Sequence, residues 1–199
     1  MRLLLLRHGA TPGNLKKQYI GSTDEPLAPQ GVEQAKARAK TLPPVEKLWV
    51  SPMRRARHTA ELFYPDAPRV YLEGLREMGF GDCEGKTWEE INDPSIYDGW
   101  FVEDPQAGFP GGETLGDFVQ RTTDALQTVA EQVVAEGIST GAVVAHGGVL
   151  MALMSQHGRP ARSNYFDWQS TNCGGFDTDF DPETLTLTLR AQLGENNIW

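Results

Sequence analysis

Two of the four histidines in the chain, His8 and His146, share a local setting: each follows a short apolar run and each is followed by glycine. A neutral imidazole is a competent nucleophile near neutral pH, and a second imidazole beside it can orient it or carry positive charge. Glycine after each histidine lets the backbone approach a ligand, and amides at the start of a following helix favour an anion. Arg7 precedes the first histidine, and Arg54 and Arg55 open a helix after another strand; a guanidinium forks onto phosphate oxygens. Glu77 follows a third strand, where a carboxyl can protonate a leaving alkoxide, with Glu73 and Glu84 as its rivals. Together these side chains are the parts of metal-free phosphoryl transfer through a phosphohistidine, a reaction run by positioning and charge stabilisation.

Such chemistry requires the strands to end at one crevice. Leu3–Leu6 is a continuous apolar run ended by a polar turn, as in a strand buried on both faces. Val32, Ala35, Ala39 and Leu42 recur at helical spacing until Pro43-Pro44; Leu48–Val50 predicts a second strand. Met53, Ala56, Ala60 and Phe63 predict a second helix, and Arg69–Leu72 a third strand. The longest helix is predicted from Leu115 to Val133, with Thr114 and Asp117 as its capping pair. Ala142–Ala145 is a fourth strand, Val149–His157 a helix after it, and the Thr/Leu alternation of Thr184–Leu189 a half-exposed strand. Strands alternating with helices imply an α/β fold, a three-layer α/β/α sandwich around a mainly parallel sheet. Ligands in such sheets bind beyond the carboxyl ends of the strands. One domain over residues 1–199 is expected, with the loop-rich stretch of about 74–113 packed over it as a lid.

Charge sharpens this picture. The 199 residues carry 18 Lys and Arg against 27 Asp and Glu, a net charge of −9, which argues against nucleic-acid and anionic-membrane partners. Residues 1–60 hold 11 basic and 4 acidic side chains, a balance of +7, and the remainder stands at −16. The basic segment delivers Arg7, His8 and Arg55, so a cationic pocket inside an acidic protein is the expectation. Two cysteines, Cys83 and Cys173, suit reduced thiols in the cytoplasm, and no apolar stretch reaches the ~20 residues needed to span a bilayer.

The segment Leu6-Arg-His-Gly-Ala-Thr11 with Asn14 resembles the signature of the histidine phosphatase superfamily, which includes the cofactor-dependent phosphoglycerate mutases. The resemblance extends through Gly21-x-x-Asp24-x-Pro26-Leu27, Gly31-x-x-Gln34-Ala35 and Ser51-x-x-x-Arg55-Ala56-x-x-Thr59-Ala60. It continues in Leu75-x-Glu77-x-x-x-Gly81-x-x-Glu84-Gly85, Pro110-Gly-Gly-Glu-Thr114 and Val144-Ala-His-Gly-Gly148. It implies a phosphoglycerate mutase-like sandwich in which His8 is phosphorylated and His146 contacts the phosphate. Arg7 and Arg55 then bind the phosphoryl group, Asn14 and the Gly147 amide assist, and Glu77 is the acid/base. No cofactor and no metal is implied, and the partner is a small phosphorylated metabolite; no oligomeric state follows.

Within the superfamily, Leu75–Asp82 and the short length look most like α-ribazole phosphatases of cobalamin assembly. A mutase and a broad sugar or nucleotide phosphatase are the alternatives. Ile20, where mutases usually carry a hydroxyl residue, weighs against the first, and Cys83 stands where many members have tryptophan. A binding module that had lost the chemistry would not need nucleophile, arginines and acid together.

Other features have plainer readings. His58 and His157 lack any such context. Asp177-x-Asp179-x-Asp181 lacks the glycine and glutamate of a calcium loop and is expected to be a solvated turn. Trp88, Trp100, Phe101 and Phe109 could line a substrate pocket, although aromatics in a small domain more often belong to its core.

Overall fold

The leucine run that opens the chain becomes the central strand of the sheet. In the computed structural model, which describes residues 1–97 and 104–194, β1 spans Arg2–Arg7 and Leu3 to Leu6 are all fully buried. Strand alternation sends Leu3 and Leu5 to one face and Leu4 and Leu6 to the other, where two separate apolar clusters receive them. Helices α2 (Pro29–Ala39) and α3 (Arg54–Phe63) cover the Leu4 face through Ala35, Ala56, Ala60 and Phe63. Helices α5 (Leu115–Glu136) and α6 (Gly147–His157) cover the Leu3 face through Phe118, Leu126, Val149 and Leu153. Those are the three expected layers. Two shorter helices, α1 (Pro12–Leu15) and α4 (Trp88–Ile91), lie in the loops.

The remaining strands are β2 (Lys47–Val50), β3 (Arg69–Tyr71), β4 (Thr140–Ala145), β5 (Gly158–Arg159), β6 (Gly175–Asp181) and β7 (Thr186–Leu193). Their order is β3-β2-β4-β1-β6-β7-β5. The pairings of β1 with β4, β2 with β3 and β4, and β5 with β7 are parallel; β6 runs antiparallel to both its neighbours. The sheet is therefore mainly parallel.

Helix ends follow their residues. Pro29 starts α2, its missing N–H costing nothing there. The Thr114 hydroxyl accepts from the Asp117 amide to cap α5, and Gly137 ends that helix with φ 67°. No side chain of its own caps α3; instead the Asp24 carboxylate accepts from the Arg54 amide at 2.8 Å.

One segment departs from expectation. Asp177 and Asp179 lie in strand β6 and not in a turn, and β7 begins at Thr186, so Thr184 and Leu185 belong to the hairpin connection. Asp disfavours strands, but here each is paired across strands: Asp177 takes two hydrogen bonds from Arg2 at 3.0 and 2.8 Å, and Asp179 meets Arg190 at 2.8 Å. The alternate residues Phe176, Thr178 and Phe180 point into the core. The stretch from Glu73 to Tyr97 holds only short helical turns, as expected, and Trp100 and Phe101 lie outside the described residues. Among the described residues no helix is long and apolar enough to cross a membrane.

Because Leu4 is fully buried against the second cluster, Leu4→Ala is expected to cost about 2–5 kcal/mol of stability. Val134→Ala, at a side chain 66% exposed, should stay within about 0.5 kcal/mol. Urea unfolding midpoints of the two variants check the contrast; equal shifts would contradict the assignment of the core.

Candidate active site

Register between β1 and β4 places the two histidines. Arg7 stands opposite Ala145, and one residue on, the His8 amide donates to the Ala145 carbonyl at 3.0 Å. The two rings lie edge to face, centroids 5.1 Å apart and planes at 64°. On the other side of β4, Val50 pairs with Val144, so Ser51 arrives at the same level and α3 brings in Arg55.

The rings hold different tautomers. His8 Nδ1 lies 2.7 Å from the Gly9 carbonyl oxygen, which can only accept. Nδ1 therefore carries the proton and Nε2 keeps the lone pair. His146 Nδ1 accepts from Arg55 Nε at 3.1 Å, so its proton sits on Nε2, which meets Ser51 Oγ at 2.7 Å. Burial first, then the positive charges of Arg55 and Arg7, holds His8 well below the ordinary histidine pKa. Burial and Arg55 do the same to His146. Both rings are neutral at neutral pH.

Of the two adjacent arginines, Arg54 is exposed and Arg55 fully buried. Arg55 Nη1 donates to the Thr23 carbonyl at 2.7 Å, and Nη2 to those of Gly21 and Ile20 at 2.8 and 3.3 Å. Arg7 Nη1 donates to the Ser170 carbonyl at 2.6 Å. Among the described residues its buried Nε–H and the buried Ser170 hydroxyl have no partner. An unmet buried donor costs about 1–3 kcal/mol; Arg7 itself lines the cleft, so an oxyanion there would lie beside a guanidinium.

Glu77 sits across the cleft with its carboxylate on two amides, Met78 and Gly148, each at 3.0 Å. A Cβ at residue 148 would lie 2.3 Å from Glu77 Oε1, so a larger residue there would displace the carboxylate. Burial raises the Glu77 pKa, against the opposing pull of those amides and of Arg55 and Arg7. A buried carboxyl of this kind can hold a proton to higher pH than a solvated one. Its rivals stand elsewhere: Glu73 is exposed, and Glu84 faces a different loop.

Arg7, His8, Asn14, Glu77 and Gly147 line one cleft of about 1240 Å³, while Arg55 and His146 lie fully buried behind it. Tyr19, Phe80 and Phe109 form part of the opposite wall, ring centroids 4.8–5.5 Å apart, and Trp88 lines the cleft while 39% exposed. His58 and His157 do not line it. Cys173 does, as a buried thiol pushed up to about 12 by burial, whereas Cys83 is buried in the apolar core. Among the described residues no cluster of three His, Cys, Asp or Glu side chains is placed to hold a metal ion.

Two supports escaped sequence reasoning. Asn172 donates to the His8 carbonyl at 3.1 Å and to Asn14 Oδ1 at 3.2 Å, so the Asn14 amide is left with its NH₂ to offer. Asn172 lies just ahead of β6, the strand read as a turn, and reading Gly175 as a strand start would have drawn notice to it. Arg121 binds the carbonyls of Gly74, Arg76 and Glu77 at 2.7–3.1 Å and the Glu113 carboxylate, pinning the segment that carries Glu77. A lone arginine in a long helix gave no signal of that role.

Comparison with known proteins agrees with this geometry. The family model described as Histidine phosphatase superfamily (branch 1) matches residues 3–192. An adenosylcobalamin/alpha-ribazole phosphatase of Escherichia coli (strain K12) is 34% identical over 99% of this chain and 100% of its own. The crystal structure of the alpha-ribazole phosphatase from Shigella flexneri superposes with a TM-score of 0.78 at 26% identity, covering 99% of this chain and 100% of that one. A phosphoglycerate mutase from Thermus thermophilus gives 0.73 at 27%, covering 98% and 100%.

The hydrogen bonds predict different nitrogen NMR signatures for the two rings. His8 should show the Nδ1–H tautomer and His146 the Nε2–H tautomer, with neither ring titrating between pH 8 and 6.5. A midpoint at or above the ordinary histidine value for either ring would contradict the buried, arginine-flanked site.

Proposed function

The chain belongs to the histidine phosphatase superfamily and is a phosphoric monoester hydrolase, and from that premise we propose that it works through a phosphohistidine formed at His8. The observation that carries this reading is the His8 tautomer: a neutral, buried ring whose Nδ1–H is tied to the Gly9 carbonyl presents Nε2 as the nucleophile. Nε2 attacks phosphorus as the bond to the leaving oxygen breaks, and that oxygen takes the proton of Glu77. Water then attacks the phosphohistidine, gives its proton back to Glu77, and releases inorganic phosphate with His8 neutral again.

Arg7, Asn14 and the Gly147 end of α6 bind the phosphoryl oxygens in this scheme, and their place on the cleft wall beside His8 supports that role. Arg55 and His146 stand behind, where the guanidinium charge favours an anion in the cleft and the neutral His146 ring is held by Arg55 and Ser51. No metal ion takes part in any step.

The substrate proposed is α-ribazole 5′-phosphate. Support comes from the names of the Escherichia coli and Shigella flexneri relatives and from the aromatic wall of Tyr19, Phe80 and Phe109. Such a wall suits a leaving alcohol bearing a flat heterocycle better than a small polar acid, since ring stacking favours π-faces. The described residues between 74 and 113 supply Glu77, Phe80, Trp88 and Phe109 to the cleft, where the leaving group would lie. One domain spanning the chain fits this arrangement.

His8→Ala is expected to abolish turnover of p-nitrophenyl phosphate and the acid-quenched phosphoprotein together; retained turnover would remove His8 as nucleophile. Glu77→Gln should lower kcat by about 10²–10⁴ for an alkyl phosphate. Because burial raises the Glu77 pKa, wild-type activity should persist above the ordinary carboxylate range and fall as pH rises through the raised value. That alkaline limb should vanish in Glu77→Gln. Across a panel of phosphomonoesters scored by phosphate release, α-ribazole 5′-phosphate should give the highest kcat/KM.

A further inference from the structure

The segment Ile20–Thr23 is held between two opposite charges. Its carbonyls face Arg55, which donates to Ile20, Gly21 and Thr23 at 2.7–3.3 Å. Its amides face Glu84: Ser22 donates to Oε1 at 2.7 Å, and Gly21 and Thr23 to Oε2 at 3.2 and 3.4 Å. The hydroxyls of Ser22 and Thr23 add bonds of 3.2 and 2.8 Å, and the Phe80 amide one of 3.1 Å. Each peptide unit is a dipole with its N–H end positive, and here those ends point at a carboxylate while the oxygen ends point at a guanidinium.

Little room exists for the segment to shift. A Cβ on Gly21 would lie 2.0 Å from the Met78 carbonyl oxygen and 2.5 Å from Glu84 Oε1. Burial pushes the Glu84 pKa up, but the converging donors outweigh it and hold the group below the usual carboxylate value, so it stays ionised at neutral pH. On the far side, four of the five Arg55 N–H groups are engaged among the described residues, three on this segment and one on His146 Nδ1. The guanidinium therefore has one orientation, set from behind by the segment, with one N–H of Nη1 left over.

We propose that Glu84 is a positioning residue for the phosphoryl site, acting through the Ile20–Thr23 segment to fix Arg55 and, through Arg55, the tautomer of His146. Glu84 touches neither histidine and does not line the cleft, so its influence runs through the backbone of the segment. The inference rests on the reading that Arg55 and His146 serve the phosphoryl group. It assigns to the second glutamate of the Glu77–Glu84 stretch a task separate from proton transfer.

A double-mutant cycle tests it. Glu84→Gln and Arg55→Lys are each expected to lower kcat for p-nitrophenyl phosphate by at least about tenfold, and the double variant should lose little more than the worse single. In Glu84→Gln the nitrogen NMR signal of the His146 Nε2–H tautomer should broaden or switch while that of His8 persists. Multiplicative losses, or an unchanged His146 signal, overturn the proposal. Arg55→Lys with no effect overturns the site reading itself and this inference with it. Should Glu84→Gln fail to fold by circular dichroism, Thr23→Val, which removes one hydroxyl donor, takes its place in the cycle with a smaller loss and the same non-additivity expected.

Discussion

Everything at the site hangs on the pairing of β1 with β4. Parallel strands in register deliver equivalent residues to the same height, so Arg7 opposite Ala145 puts His8 and His146 side by side wherever the two strands end. The pairing is secured along the strand that leads to His8, by four leucines that bury completely into two clusters on opposite faces. A slip of one residue would turn Leu4 and Leu6 to the wrong face and separate the histidines in the same move. Stability and catalysis here share a single geometric constraint.

Around that pair the protein holds two buried cations. Desolvation disfavours each of them, lowering the pKa of both Arg7 and Arg55 from the ordinary value, with the Glu77 charge the largest opposing effect. Burying charge is costly unless hydrogen bonds replace water. Arg55 is met by three carbonyls and an imidazole nitrogen, whereas among the described residues Arg7 keeps a donor unmet. Together the two guanidinia make this end of the sheet locally positive. That local field explains how a chain of net charge −9 receives a phosphate ester: burial first, and the arginines after it, keep both histidines neutral, while the acidic surplus lies mostly in the later part of the chain.

Much of this was legible in the sequence because strand ends in an α/β sheet are legible. His8, His146, Arg55 and Glu77 could be brought to one crevice by counting strands, and the buried position of Arg55 against the exposed Arg54 is what separates two neighbours of the same type. What stayed hidden depended on pairing over long separations. Asp177 looks like a turn residue until Arg2, on the neighbouring strand, neutralises it, and Asn172 has no role until β6 brings it against His8. Arg121 likewise reaches Glu77 only after α5 packs beside the turn at Gly74. Local pattern cannot report partners that only folding introduces.

The 2.3 Å that a Cβ at residue 148 would leave to the Glu77 oxygen also bears on how such a molecule can diversify. At the phosphoryl end, a side chain at residue 148 would have to push the Glu77 carboxylate aside, so variation there disturbs the acid itself. Elsewhere the cleft is lined by Leu15 and Trp88, on short helices in the loops and 49% and 39% exposed, which can change size without disturbing the sheet. New alcohols are therefore reachable through one side of the cleft alone. Descendants of this chain could trade one leaving group for another while inheriting the same phosphorus chemistry unaltered.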